Sequence, residues 1–170
     1  MGIEIERKFL IASDDWRRAV TRRNRMVQGY LIDAKAVTSG ASRSSVRVRV
    51  AGEEAWLNIK SSTLGVERQE FEYAIPCVEA EQMLATLCDG VVEKFRHWIP
   101  LAGHEFEVDE FLGDNAGLIV AELELAAADA DYPRPVWLGA EVSELPRYYN
   151  LNLVKYPYAR WSAAEREGHG

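Results

Sequence analysis

Cysteine is nearly missing from this chain: Cys77 and Cys88 are the only two among 170 residues, and they form no C-x-x-C pair. A disulfide framework and a thiolate zinc site are therefore both excluded. Histidine is as scarce, with three copies at no metal-ligand spacing. Long apolar runs are absent too. None approaches the roughly 20 residues that a membrane-spanning helix requires, and the N-terminus shows no basic-then-apolar leader. These absences lead to the expectation of a water-soluble protein in a reduced, cytoplasmic setting, without a membrane partner. The chain also lacks an excess of positive charge. Its 27 acidic against 20 basic residues give a formal charge of -7, so neither nucleic acid nor an anionic membrane is attracted at long range. Any site for an anion must be local. No Pro/Gly/Ser-rich linker divides the chain, so one domain is expected over 1–162, followed by a frayed tail over 163–170.

What is present is period-2 alternation of apolar and polar residues, the mark of strands with two unlike faces. Candidate strands cover 3–11, 27–33, 44–50, 54–61, 66–75, 92–100, 104–111 and 118–126. Helix-like stretches fall at 13–21, 78–87, 137–142 and 148–154, and 34–45 reads as a loop. The fold class expected is α+β, mainly β: a closed eight-stranded antiparallel barrel with a few flanking helices.

The polar faces of these strands are sorted by sign. Glu4, Glu6 and Lys8 share one face of the first strand, since side chains alternate. Arg47 and Arg49 share another, followed by Asn58 with Lys60, Glu70 with Glu72, Lys94 with Arg96, Glu107 with Asp109, and Glu122 with Glu124. Like charges two positions apart on a strand lie about 6.7 Å apart and repel by roughly 2.5 kcal/mol at an effective dielectric near 20. A merely wetted surface has no reason to repeat that cost. The pattern makes sense if the faces converge on a lumen where anionic groups bridge the cations and metal ions bridge the carboxylates. A linear polyphosphate needs several cations along a line, and Lys8, Arg47, Arg49, Lys60, Lys94 and Arg96 are the candidates. The carboxylates offer oxygen donors only, which favours Mg²⁺ or Mn²⁺ over zinc.

The opening Glu4-Ile5-Glu6-Arg7-Lys8-Phe9-Leu10, taken with Gln28-Gly29-Tyr30, Val46-Arg47-Val48-Arg49, Ile59-Lys60, Arg68-Gln69-Glu70-Phe71-Glu72, Glu93-Lys94-Phe95-Arg96, Glu107-Val108-Asp109 and Glu122-Leu123-Glu124, resembles the CYTH superfamily of triphosphate tunnel metalloenzymes. The resemblance is closest to its small bacterial members and runs from Ile3 to about Tyr158. It implies an eight-stranded tunnel, a triphosphate held by basic side chains and divalent metal held by acidic ones. Members include inorganic tripolyphosphatases, thiamine triphosphatases, RNA triphosphatases and class IV adenylyl cyclases, so the fold alone does not fix the reaction. One departure is visible. Where the small hydrolases carry lysine in an Arg-Tyr-Lys-Asn-like run, this chain has Arg147-Tyr148-Tyr149-Asn150, leaving Arg147 or Lys155 to supply the charge.

The reading that follows is a metal-dependent triphosphatase acting on inorganic tripolyphosphate or a small organic triphosphate. Glu4, Glu6, Lys8 and Tyr30 are its expected catalytic residues, and Glu4, Glu6, Asp109, Glu122 and Glu124 the expected metal ligands. Glu70, Glu72 and Glu107 are expected on the tunnel wall without an assigned role. Phosphoryl transfer of this kind depends on positioning and electrostatics rather than a protein nucleophile, in keeping with the want of a Ser-His-Asp or Cys-His set. The alternatives are a class IV-like adenylyl cyclase and a noncatalytic polyphosphate-binding module. His97, His104, the tryptophans and the basic run Arg17, Arg18, Arg22 and Arg23 read as structural or solvated. A homodimer is expected on general grounds only.

Overall fold

The computed structural model describes residues 2–169. Nine strands form one sheet: β1 (Gly2–Ile11), β2 (Arg22–Tyr30), β3 (Ser44–Ala51), β4 (Glu54–Ser61), β5 (Glu67–Ala74), β6 (Val91–Leu101), β7 (His104–Phe111), β8 (Ile119–Glu124) and β9 (Leu138–Glu141). Every pairing is antiparallel, in the order β5-β4-β3-β2-β6-β7-β8-β1-β9, and a further β5–β1 pairing closes the first eight strands into a barrel. The helices are short: α1 (Ala34–Thr38), α2 (Cys77–Thr86), α3 (Asn150–Leu153), α4 (Ala163–Arg166) and several 3-10 turns. Among the described residues, no helix is long and apolar enough to cross a membrane.

Alternation along each strand decides which residues meet. The inward positions are the charged ones, so the main apolar core lies outside the barrel wall. Phe9, Phe106, Val108, Ala121 and Leu123 face outward and are covered by Trp16, from the 3-10 helix Asp14–Ala19, and by Leu125 and Trp137. Trp16, Phe106 and Val108 are wholly buried, and burying a large apolar side chain contributes about 1.5–3 kcal/mol. A second cluster joins Val92, Phe111, Leu118 and Val120 to Tyr148, Leu153 and Trp161 of the C-terminal segment. Helix α2 covers β3 and β4 through Ala80, against Val48 and Ala55.

Four stretches differ from the sequence expectation, the first being 34–45, expected as a loop, which opens with α1. The second strand begins at Arg22 rather than 27, because 22–26 pair with β6 from Trp98 to Lys94, and the exposed Arg22 and Arg23 lay their guanidinium groups over Trp98 and Phe95. The stretch 137–142, expected to be helical, instead contains β9, which pairs with the end of β1 opposite Phe9 and Ile11. The tail expected over 163–170 begins with α4, whose Ser162 and Glu165 form a reciprocal capping box. Tyr148 donates to the Glu165 carbonyl at 2.9 Å and Arg147 to that of His169 at 2.7 Å, so this segment is fastened to the barrel.

The β9 contact leaves no room for a side chain at Gly139. A Cβ there would lie 2.8 Å from the Leu10 carbonyl oxygen and 3.0 Å from its carbon, both backbone atoms of β1. Gly139→Ala should therefore cost about 1–3 kcal/mol and lower the melting temperature by several degrees in a thermal scan. An unchanged melting temperature would show that β9 is not held against β1 in this way.

Candidate active site

The barrel encloses a cavity of about 810 Å³. Its wall receives Glu4, Glu6 and Lys8 from β1, Tyr30 from β2, Arg47 and Arg49 from β3, and Lys60 from β4. Glu70 and Glu72 of β5, Lys94 and Arg96 of β6, Glu107 of β7, and Glu122 and Glu124 of β8 complete it. Asp109 and Asn58 share the inward faces but do not reach the cavity; both are fully buried, Asp109 beneath Lys94 and Arg96. His97, His104 and the basic run Arg17, Arg18, Arg22 and Arg23 do not line the cavity.

Asp109 is not free to bind a metal. Its carboxylate receives Lys94 Nζ at 2.6 Å, Arg96 Nε at 2.7 Å and Arg96 Nη2 at 2.8 Å, so both oxygens are taken. Burial would raise its pKa, but the Arg96 and Lys94 charges hold it below the usual carboxylate range. Burial pushes the Lys94 ammonium down to about 8, against the pull of Asp109. The network continues inward. Arg96 Nη2 reaches Glu122 at 3.0 Å, and Lys8 Nζ reaches Glu122 at 2.8 Å and Glu6 at 3.1 Å. Arg96 also pairs with Glu107. On the other side, Lys94 and Gln28 both donate to the Asn150 Oδ1, each at 3.0 Å.

Across the cavity the cations are less well matched. Lys60 bonds both oxygens of Glu4 at 2.9 Å. Among the described residues Arg49 has Glu72 as its one ion-pair partner, at 3.8 Å, and no ion pair forms at Arg47. The Nε atoms of both arginines are buried without a hydrogen-bond partner. Burial, then the neighbouring charges of Arg47 and Arg96, press the Arg49 guanidinium down to about 10. These are two cations placed side by side without enough carboxylate between them. Such a pair is a site for an anion with several oxygens.

The carboxylates show the converse. Strand register sets Glu6 directly opposite Glu124, and Glu107 directly opposite Glu122, an arrangement that destabilises unless a cation intervenes. Burial and the nearby charges of Glu4, Glu6, Glu70 and Glu107 push the Glu124 carboxyl above its ordinary range. Burial also raises Glu107, with Glu122 and Asp109 adding to the effect against Arg96. Among the described residues no three acidic, His or Cys side chains converge around one point as they stand. The donor chemistry nevertheless fits a hard divalent cation: oxygen ligands only, crowded, with Glu124 making no ion pair among the described residues.

Further cavity residues lie beyond those assigned from the sequence: Arg68, Tyr149 and Asn150. Arg68 precedes Glu70 and Glu72 at the same period-2 spacing, so it faces the cavity as they do. That signal was available. Tyr149 and Asn150 also reach the wall, from the C-terminal segment, and no strand periodicity announces them. Neither Arg147 nor Lys155 lines the cavity. Arg147 is turned to the carbonyls of Glu165 and His169, and Lys155 pairs with Asp33 and Asp89 at the surface, each at 3.3 Å.

Comparisons with known proteins agree with this geometry. The family model described as CYTH domain matches residues 2–154. An inorganic triphosphatase of Acetivibrio thermocellus is 42% identical over 159 residues, covering 93% of this chain and 97% of that protein. One from Nitrosomonas europaea is 36% identical over 156 residues, covering 89% and 96%. A crystal structure of an inorganic triphosphatase superposes with a TM-score of 0.63 at 32% identity, over 89% of this chain and 97% of the other. A Hippeastrum protein described as an adenylyl cyclase with dominant triphosphatase activity shares the fold, at a TM-score of 0.57 and 16% identity over 75% of this chain and 80% of the other.

If Asp109 is the electrostatic keystone of the wall, Asp109→Ala should destabilise the protein by about 3–5 kcal/mol, because it strands Lys94 and Arg96 in the interior. Glu72→Ala removes a carboxylate that is 43% exposed and should cost no more than about 1 kcal/mol. Denaturant unfolding measures both. Equal losses would remove the distinction.

Proposed function

The chain belongs to the CYTH family, and from that premise we propose that it is a divalent-metal-dependent triphosphatase whose preferred substrate is inorganic tripolyphosphate or a small organic triphosphate. The observation that carries this reading is the Arg47–Arg49 pair, half-buried with buried Nε atoms, under-neutralised and directed into the cavity. The names borne by the relatives at 42% and 36% identity support the reaction class.

In this mechanism Arg47 and Arg49 grip the phosphate chain, with Lys60 beside them. Lys8, held between Glu6 and Glu122, adds positive charge where the transferring phosphoryl group becomes more negative. Lys94 and Arg96 keep the wall rigid through Asp109. Glu6, Glu107 and Glu124 are the residues suited to hold Mg²⁺ or Mn²⁺, and Glu4 and Glu122, whose oxygens are paired with Lys60 and with Lys8 and Arg96, lie beside them. When bound, that ion supplies Lewis-acid charge and lowers the pKa of a coordinated water. Water attacks the terminal phosphorus, the bridging P–O bond breaks in line, and orthophosphate leaves one side while the shortened chain leaves the other. In this reading the hydroxyl of Tyr30, beside Arg47, orients a phosphate oxygen or the water. The two free thiols, Cys77 and Cys88, suit the reduced cytoplasm to which we assign the protein.

A product-resolved assay tests this reading. The protein is incubated with tripolyphosphate, thiamine triphosphate or ATP plus Mg²⁺ or Mn²⁺, and products are identified by phosphorus NMR. Orthophosphate from tripolyphosphate or an organic triphosphate is expected, and cyclic AMP with pyrophosphate as the main products from ATP would overturn it in favour of a cyclase. Glu6→Gln should suppress turnover about 100-fold or more while triphosphate binding partly survives, and Arg49→Ala should weaken both. Binding by the wild type without any turnover would identify a noncatalytic polyphosphate-binding module instead.

A further inference from the structure

The cavity is graded along its length. Glu72, Glu107 and Glu124 sit on strand segments toward the end of the barrel where β1 begins. Lys8, Lys60 and Arg68 sit toward the opposite end. At that basic end Arg68 lies directly opposite Glu4 in the β1–β5 register. Its side chain is 17% exposed, and its one hydrogen bond among the described residues, Nη2 to Glu4 Oε2, is long at 3.4 Å. Glu4 is already satisfied on both oxygens by Lys60. The guanidinium therefore has a weak claim on a carboxylate that belongs to another cation, and most of its five N–H donors have no partner among the described residues.

What holds Arg68 in place is Tyr149. The guanidinium carbon stands 5.5 Å from the centroid of the Tyr149 ring, and Lys8 Nζ stands 6.0 Å from the same centroid. The ring is itself fixed through its hydroxyl, which donates to the Ser143 carbonyl at 2.8 Å and accepts from the Gly65 amide at 3.3 Å. The fixed ring thus braces Arg68, while Lys8, held mainly by Glu6 and Glu122, stands at its margin. Both aim into space that protein atoms leave unfilled.

We propose that Arg68, braced on Tyr149, is a substrate-binding residue that grips the phosphate group at the basic end of the cavity, and that Tyr149 is its positioning residue. The inference rests on the triphosphate reading and adds to it the residue pair that fixes one end of the chain. A planar guanidinium with spare donors takes two oxygens of one phosphate at once, and Lys8 and Lys60 flank the same group. Tyr149 contributes no charge; it keeps the fork oriented before the ligand arrives.

The test is calorimetric titration of tripolyphosphate into the full chain in EDTA, which needs no turnover. Arg68→Ala and Arg68→Gln should each raise Kd about tenfold or more, the usual loss for a charge-assisted hydrogen bond, with melting temperatures near that of the wild type. Tyr149→Leu should raise Kd severalfold, and Tyr149→Phe, which keeps the ring, should restore most of that loss. In the Tyr149→Leu background, Arg68→Ala should cost less than in the wild type, since the fork is no longer positioned. Wild-type binding with an unchanged Kd in both Arg68 variants would overturn this inference alone. Full additivity of the two substitutions would overturn the role of Tyr149. No binding by the wild type would sink the triphosphate reading and this inference together.

Discussion

The structure depends on neutralising charge where water is scarce. Lys94, Arg96, Asp109, Glu122 and Lys8 are all buried, and each would be costly to enclose alone. Linked in sequence from Asp109 through Arg96 and Glu122 to Lys8, they become tolerable, because every charge meets its opposite at hydrogen-bond distance. Such arrays add little net stability over an apolar filling. What they provide is a rigid polar wall, and the energy that keeps the barrel folded comes from elsewhere.

That energy comes from the outer face. Most small barrels fill their centres with aliphatic side chains; here the clusters around Phe9, Phe106 and Trp137, and around Tyr148 and Trp161, lie against the outside of the wall and the C-terminal segment. Packing and chemistry are thereby separated onto opposite faces of the same strands. The interior is left free to be incompletely matched. Arg47 and Arg49 lack tight carboxylates, while Glu6 and Glu107 are set opposite other carboxylates. Both mismatches are relieved by the same pair of partners, a polyanion on one side and a divalent cation on the other. A preorganised site of this kind does its electrostatic work without reorganising when substrate enters.

Much of this was legible in the sequence, and the reason is the strand period. Because side chains alternate strictly, Glu4, Glu6 and Lys8 had to share a face, as did Arg47 with Arg49 and Glu122 with Glu124. Closing the barrel then needed only that these faces converge. Arg68 obeys the same rule, two positions before Glu70, and its charge breaks the run of carboxylates on that face. Asp109 was placed on the correct face, but alternation gives no depth, and only the cross-strand register opposite Arg96 shows that it is consumed by the wall. Tyr149 and Asn150 could not be found this way. They arrive on a segment of short turns whose path into the cavity is set by packing of Tyr148 and Trp161, a long-range contact with no periodic signature. The strand β9 escaped for a similar reason, being four residues whose pairing with β1 is tertiary.

The central claim is that the interior charges exist to receive a phosphate chain. A crystal structure of the protein soaked with tripolyphosphate tests it most directly. The account predicts phosphate density inside the barrel, with oxygens between the Arg47 and Arg49 guanidinium groups and the ion pairs around Asp109 undisturbed. Phosphate bound only at exterior arginines such as Arg22 and Arg23, with the cavity unaltered, would contradict it.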